Sequence, residues 1–242
     1  MFSYREIPPS PALAPYVKCF WALRAKSDDP RTERILPDAS FELVFHLGDP
    51  FPGQPSAIFI GEVRRPTVIT PSRNADVFGV RFSPGGVAPF LRAPARAMRD
   101  AILPLRDVLD CEDQIIDSRS RVASMESVLL RRFRETRNHR LARVASSLIA
   151  SRHGSLRVRE VANIIGTTER SLERAFDDNV GIGVKEYSRL MRFQSFVRGE
   201  SDEYFDDSHR IRDFHDFGGV TPAQFERERN EMNAAFVGNV QD

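Results

Sequence analysis

Lysine, cysteine and unbroken apolar sequence are all scarce in this chain of 242 residues. Only Cys19 and Cys111 occur, and neither stands in a CxxC pair or a Cys/His cluster, so a disulfide framework or a zinc module is not expected. The apolar runs, such as Phe41 to Leu47, are far too short to cross a bilayer, and no membrane partner is expected. The opening Met1 to Glu6 lacks the basic start and apolar stretch of a secretory leader. A reduced, cytoplasmic protein is the expectation. A chain of this length buries a large core without metal or staple, and one to two domains fit it. No nucleophile elbow, phosphate loop or paired-carboxylate constellation occurs in the context its chemistry needs, so no catalysis is expected. The five histidines (His46, His139, His153, His209, His215) are scattered, so no metal is expected, and His46 reads as a structural strand residue. No cofactor is implied.

Lysine is nearly absent: Lys18, Lys26 and Lys185 are three among 35 basic residues. Arginine is the better fork for phosphate and guanine, but a bias this complete fits a GC-rich genome. The net charge of +1 argues against a generic polyanion binder and hides an asymmetry. Residues 1–118 carry 14 basic and 15 acidic side chains, residues 119–174 carry 13 and 5, and residues 175–242 carry 8 and 14. The central segment is where a phosphate backbone would dock.

Proline divides the chain as sharply as charge does. Of 16 prolines, 15 precede residue 105. In that first part, β-branched and aromatic runs at Val17–Arg24, Ser40–Leu47, Ser56–Gly61 and Ala75–Phe82 alternate with Pro, Gly and Asp clusters, which predicts short strands. After the turn Ser83–Gly86, which reads as structural, the period becomes helical. Val87–Arg92 and Leu105–Leu109 read as short helices. Residues 119–136 read as a longer one, with Val122, Met125, Val128, Leu129 and Phe133 on one stripe. Further on, Leu141 to Ile149, Val158 to Ile165 stopped by Gly166, and a helix capped by Thr168 follow. The fold class is therefore α+β: a β-rich N-terminal barrel or sandwich with accessory helices, then an all-α part. The expected division is an effector or dimerisation domain at 1–118, a connecting helix at 119–136 and a helical domain at 137–242.

The pair of helices around Ile165–Thr168 fits a helix-turn-helix, and on spacing alone an ordinary helical hairpin fits as well. The stretch Val158–Phe176, with Ala162, Gly166, Thr168, Leu172, Arg174 and Phe176 at matching positions, resembles the first helix-turn-helix of AraC/XylS-family transcription regulators. Val180–Gly183 and Tyr187–Leu190 resemble that family's lead into its long linker helix. Tyr204–Phe214, Gly219–Pro222 and Phe225 resemble its second recognition helix and closing motif. The N-terminal segments Tyr16–Trp21, Ile35–Asp38, Glu42–Gly48 and Phe78–Gly86 resemble a poorly characterised domain often found ahead of this module.

The resemblance implies a sequence-specific regulator that reads double-stranded DNA through the helix at 168–179. Thr168, Arg170, Ser171, Glu173 and Arg174 would face the groove, and Arg137 and Arg140 the backbone. Arginine pairs with guanine edges and a carboxylate with the cytosine amine. A homodimer and a small-molecule effector of unknown identity are also implied. The second unit departs from the family pattern. Val197–Glu203 stands where its first helix belongs, Arg210 takes a position that the family fills with a buried Phe or Leu, and acid surrounds it. Only Ser208 and Arg212 remain there as base-facing groups. The other reading, a ligand- or protein-binding regulator with a degenerate DNA-binding module, stays open on these residues.

Overall fold

The computed structural model describes residues 2–26, 33–48, 54–70, 74–200, 204 and 207–232. Its first part is built of β1 (Phe2–Ile7), β2 (Val17–Lys26), β3 (Glu33–Ile35), β4 (Glu42–His46), β5 (Ala57–Ile60), β6 (Thr67–Ile69), β7 (Asn74–Phe82) and β8 (Ile102–Pro104). Six of these form one antiparallel sheet in the order β1-β2-β7-β4-β5-β8, and β3 pairs with β6. The four strands legible in the sequence are β2, β4, β5 and β7, the centre of this sheet.

Strand alternation gives the sheet two different faces. Phe20, Leu43, Phe45, Phe59, Phe78, Val80 and Phe82 point into the large core, whereas Val44, Ile58, Ala75 and Val77 gather on the reverse face beneath Trp21 and Leu23. His46 ends β4 buried, with its Nδ1 3.1 Å from the Pro55 carbonyl oxygen. Burial pushes its pKa down, and the neutral ring fills a structural position.

The short helices expected at Val87–Arg92 and Leu105–Leu109 are single 3-10 turns at Ala88–Phe90 and Leu105–Asp107, and a third lies at Ala95–Met98. Pro89 at the second position suits the first turn, where no intrahelical amide bond is lost, and extended backbone at Leu91 ends the Ala88–Phe90 turn. The α-helices are α1 (Glu112–Ile116), α2 (Arg121–Arg132), α3 (Arg137–Ser151), α4 (Val158–Ile165), α5 (Glu169–Asn179), α6 (Val184–Val197), α7 (Asp207–Asp213) and α8 (Pro222–Met232). The fold is α+β, with the sheet first and the helices after it.

Helix α2, the stretch expected as a connector over 119–136, buries Met125, Val128 and Leu129 in the core of the sheet. Phe133 follows it and packs edge-on against Tyr16, with ring centroids 4.9 Å apart. Helices α3 to α8 build a second core around Ile149, Leu172, Phe176, Tyr187, Phe193 and Phe214, and Leu36 and Ala39 from the N-terminal part pack into it. Thr136 starts α3 with a reciprocal cap: its Oγ1 accepts from the His139 amide, and the His139 ring Nδ1 accepts from the Thr136 amide.

Gly79 lies opposite Trp21 in the β2–β7 register, and a Cβ there would stand 2.1 Å from the indole Cε2. The indole therefore lies flat on bare backbone. Gly79→Ala is expected to displace it and to cost about 1–3 kcal/mol of stability, as overpacking does. Trp21 is the single tryptophan, so its emission in a denaturant titration reads both effects. Unchanged emission and midpoint in Gly79→Ala would show that the indole does not need the glycine.

Candidate functional site

The turn between α4 and α5 is set by backbone stereochemistry. Gly166 closes α4 in the left-handed region at φ 73°, and a Cβ there would meet nothing within 4 Å. Conformation alone, not space, asks for glycine at this position. Thr168 then caps α5: its Oγ1 accepts from the Ser171 amide at 3.1 Å and donates to the Ser171 Oγ at 2.9 Å. Leu172, Ala175, Phe176 and Asn179 turn inward, which leaves Arg170, Glu173 and Arg174 exposed on the opposite face.

The α5 residues expected to face DNA thus share one side of the helix, and the members of the expected set differ in their commitments. Thr168 and Ser171 spend their hydroxyls on the cap. Glu173 reaches the start of α6, where its Oε2 accepts from the Val184 amide at 3.3 Å. Arg170 and Arg174 are exposed and make no hydrogen bond or ion pair among the described residues. Arg137 opens α3, likewise exposed. Arg140 is paired with Glu135 at 3.0 Å, yet its side chain stays 69% exposed, so the pair holds the guanidinium without hiding it.

Ser208 and Arg212 lie exposed on α7, away from this set in sequence. Arg210 is not in the core: its Nη2 pairs with Asp207 at 2.7 Å. The apolar anchors of this region are Phe214 and Phe217, on one π-helical turn at Phe214–Gly218. Arg189 of α6 ties it down through Asp213 at 2.7 Å and Asp216 at 2.6 Å. The segment Val197–Glu203 begins as the end of α6, and Ser201 to Glu203 lie outside the described residues.

The C-terminal end of α5 is held by the N-terminal part, a feature the sequence reading missed. Arg96 and Arg99, on and just after the 3-10 turn Ala95–Met98, reach across to it. Arg99 donates to the Gly181 carbonyl oxygen and to Asp177, and Arg96 pairs with Asp178. Arg96 also lies 3.8 Å from Asp177. Beneath this clasp Glu62 is 0% exposed, and neither of its carboxyl oxygens has a hydrogen-bond partner among the described residues. It lies against Gly181, where an added Cβ would stand 3.6 Å from the Glu62 Cβ and 3.5 Å from the Phe41 ring. Burial pushes the Glu62 carboxyl up to about 8, with Asp100 and Glu186 adding to the rise and Arg64 and Arg99 opposing it.

The fold and this surface define a class: an antiparallel sheet domain clasped to a helical module whose two short helices turn on a glycine. A family model described as a domain of unknown function, DUF6597, matches residues 5–104. No curated protein matches the chain. Among solved structures, ToxT from Vibrio cholerae is similar at a TM-score of 0.41 and 9% identity, covering 93% of this chain and 97% of that one. An apo variant of ToxT from Vibrio cholerae is similar at a TM-score of 0.35 and 9% identity, covering 93% and 96%. Among the described residues no helix is long and apolar enough to cross a membrane, and no cluster of His, Cys, Asp or Glu has the grouping to hold a metal.

The Glu62 carboxyl gives the clasp a pH dependence of definite sign. Its pKa is raised to about 8 in the folded chain from an ordinary 4.5, so the folded state binds the extra proton. Stability is then full below the unfolded value and falls as pH rises through the window between the two. Between pH 6 and pH 8 the loss is on the order of 2 kcal/mol. Glu62→Gln is expected to flatten this slope and to raise the melting temperature at pH 8. Melting curves at both pH values check it, and a slope equal to that of the parent chain would show that Glu62 does not hold the proton.

Proposed function

We propose that the chain is a sequence-specific DNA-binding transcription regulator of the AraC/XylS type that reads the major groove with α5. Residues 137–242 form the DNA-binding domain in this reading, residues 119–136 join it to the rest, and residues 1–118 sense an effector or pair with a second copy. The observation that carries the reading is the α4–α5 unit. A capped helix on a glycine turn presents two unengaged guanidiniums, Arg170 and Arg174, in a segment where the sequence concentrates positive charge. Arginine at such a position pairs bidentately with guanine. No catalytic step belongs to this function.

The second unit plays a lesser part. A full module of this family places two recognition helices about one helical turn, ~34 Å, apart on DNA. Here α7 is short and acid-flanked, and its inner side is bound to Arg189. One half-site per protomer follows, with affinity gained by pairing two copies through 1–118. The acid of residues 175–242 also favours the second reading, a regulator that binds a ligand or protein and has lost DNA binding. Salt-dependent binding to random duplex separates the two.

Two substitutions test the assignment on a site selected from a random duplex pool. Arg174→Ala is expected to weaken specific binding by ~1–3 kcal/mol while melting as the parent does, since the side chain supports nothing in the fold. Undiminished specific binding would remove Arg174 from the interface. Replacing Arg137 and Arg140 together by alanine is expected to reduce the salt slope of log K by about 2 without altering the selected sequence. A changed consensus would show that they read bases.

A further inference from the structure

A cleft of about 630 Å³ separates the first two turns of α2 from the sheet. One wall is the face of β1, β2 and β7 that continues outward from the large core. Its inner end is apolar, formed by Ile7, Ala22, Phe78 and Val122, and the small side chains of Ala22 and Ala123 leave the space open. Its mouth is cationic, with Arg5 from β1, Arg24 from β2, and Arg119 and Arg121 at the start of α2.

The charges at the mouth do not cancel. Asp76 pairs with Arg24 at 3.2 Å, and the Glu126 Oε1 accepts from the Ser10 amide at 2.6 Å. Arg5 and Arg119 have no ion pair among the described residues. Arg121 donates from Nη2 to the Ile116 carbonyl at 3.1 Å, and its buried Nε has no partner. The first turn of α2 carries no acidic residue, and Ser120 gives it no side-chain cap. The positive end of the helix therefore adds to the arginines instead of being neutralised.

An oxyanion satisfies such a mouth, and an apolar body satisfies the wall behind it. A wholly polar anion leaves the wall wet, and a neutral apolar molecule leaves the guanidiniums without a counter-charge. We infer that this cleft binds a small organic anion with an apolar body, its oxyanion at Arg5, Arg119 and Arg121 and its body against Ile7, Ala22 and Phe78. The inference rests on the sensing role proposed for residues 1–118, but binding can be measured without DNA.

The test uses the full chain and two fluorescent probes, anilinonaphthalene sulfonate and its neutral counterpart phenylnaphthylamine. The sulfonate is expected to saturate at one molecule per chain. Replacing Arg5 and Arg119 together by glutamine is expected to weaken the sulfonate about tenfold, as loss of charge-assisted bonds does, and to leave the neutral probe unchanged. Ala123→Phe, at an exposed position of the cleft wall, is expected to weaken both probes. Melting curves of both variants establish that they are folded. Sulfonate binding that survives the arginine replacement, loses no more than the neutral probe does, or ignores Ala123→Phe overturns the site. Binding that follows the expected pattern without altering DNA affinity keeps the site and overturns the sensing role alone.

Discussion

The clasp between the Ala95–Met98 turn and the end of α5 is the constraint on which the arrangement of the candidate surface depends. Arg99 satisfies the Gly181 carbonyl, just past the end of α5, and a carboxylate of α5 at once, and Arg96 takes the neighbouring Asp178. Cations at the C-terminal end of a helix sit where its dipole favours them. In the same stroke they neutralise the two acids of α5, Asp177 and Asp178, that would otherwise repel a phosphate backbone. The helix is thereby divided. Its C-terminal end belongs to the sheet domain, and its N-terminal half, with Arg170 and Arg174, faces outward.

The clasp sits over an uncharged seam. Leu36 and Ala39 enter the second core, and the Ser146 hydroxyl donates to the Pro84 carbonyl at 2.9 Å. The Arg134 amide donates to the Pro89 carbonyl, also at 2.9 Å. These contacts bury backbone groups of the N-terminal part against α3 and α6, so the orientation of α5 is inherited from the sheet. Glu62 fits this seam only as a neutral acid, because a carboxylate with no hydrogen-bond partner is costly in so dry a place. Proton uptake by one side chain is therefore coupled to the junction that orients α5.

What the sequence disclosed follows from the range of the interactions involved. β2, β4, β5 and β7 were legible because each carries alternating or continuous apolar residues within its own span. β1, β3, β6 and β8 were not. The first is an edge strand with Arg5 and Glu6 in its middle, and the others are three residues long, which is too short for a period to show. Gly166 and Thr168 were legible because a turn and a cap are local chemistry. Glu62 was not, since its burial involves Gly181, a residue far away in sequence that only tertiary packing brings beside it. The same holds for Arg96 and Arg99, which look like ordinary surface arginines until Asp177 and Asp178 stand opposite them. The commitments of Glu173 to α6 and of Arg140 to Glu135 are likewise tertiary, and they separate anchored groups from open ones within a set that looked uniform in sequence.

The second unit shows how a local departure is accommodated. Arg210 stands where an apolar side chain would be expected, and an unpaired guanidinium would not survive in a core. The chain turns α7 so that Arg210 meets Asp207 near the surface, and Phe214 and Phe217 supply the apolar contacts from a π-helical turn instead. The extra residue in each turn of a π-helix shifts which side chains face inward. Asp213, just before that turn, is buried, and Arg189 answers it at 2.7 Å. Burial raises the Asp213 carboxyl, with Asp216 adding to the rise, and Arg189 and Arg192 oppose it. The cation that α6 holds here is directed at its own chain rather than outward. Arg189 and Arg210 are thus paired with acids around α7, whereas Arg170 and Arg174 of α5 stay open among the described residues.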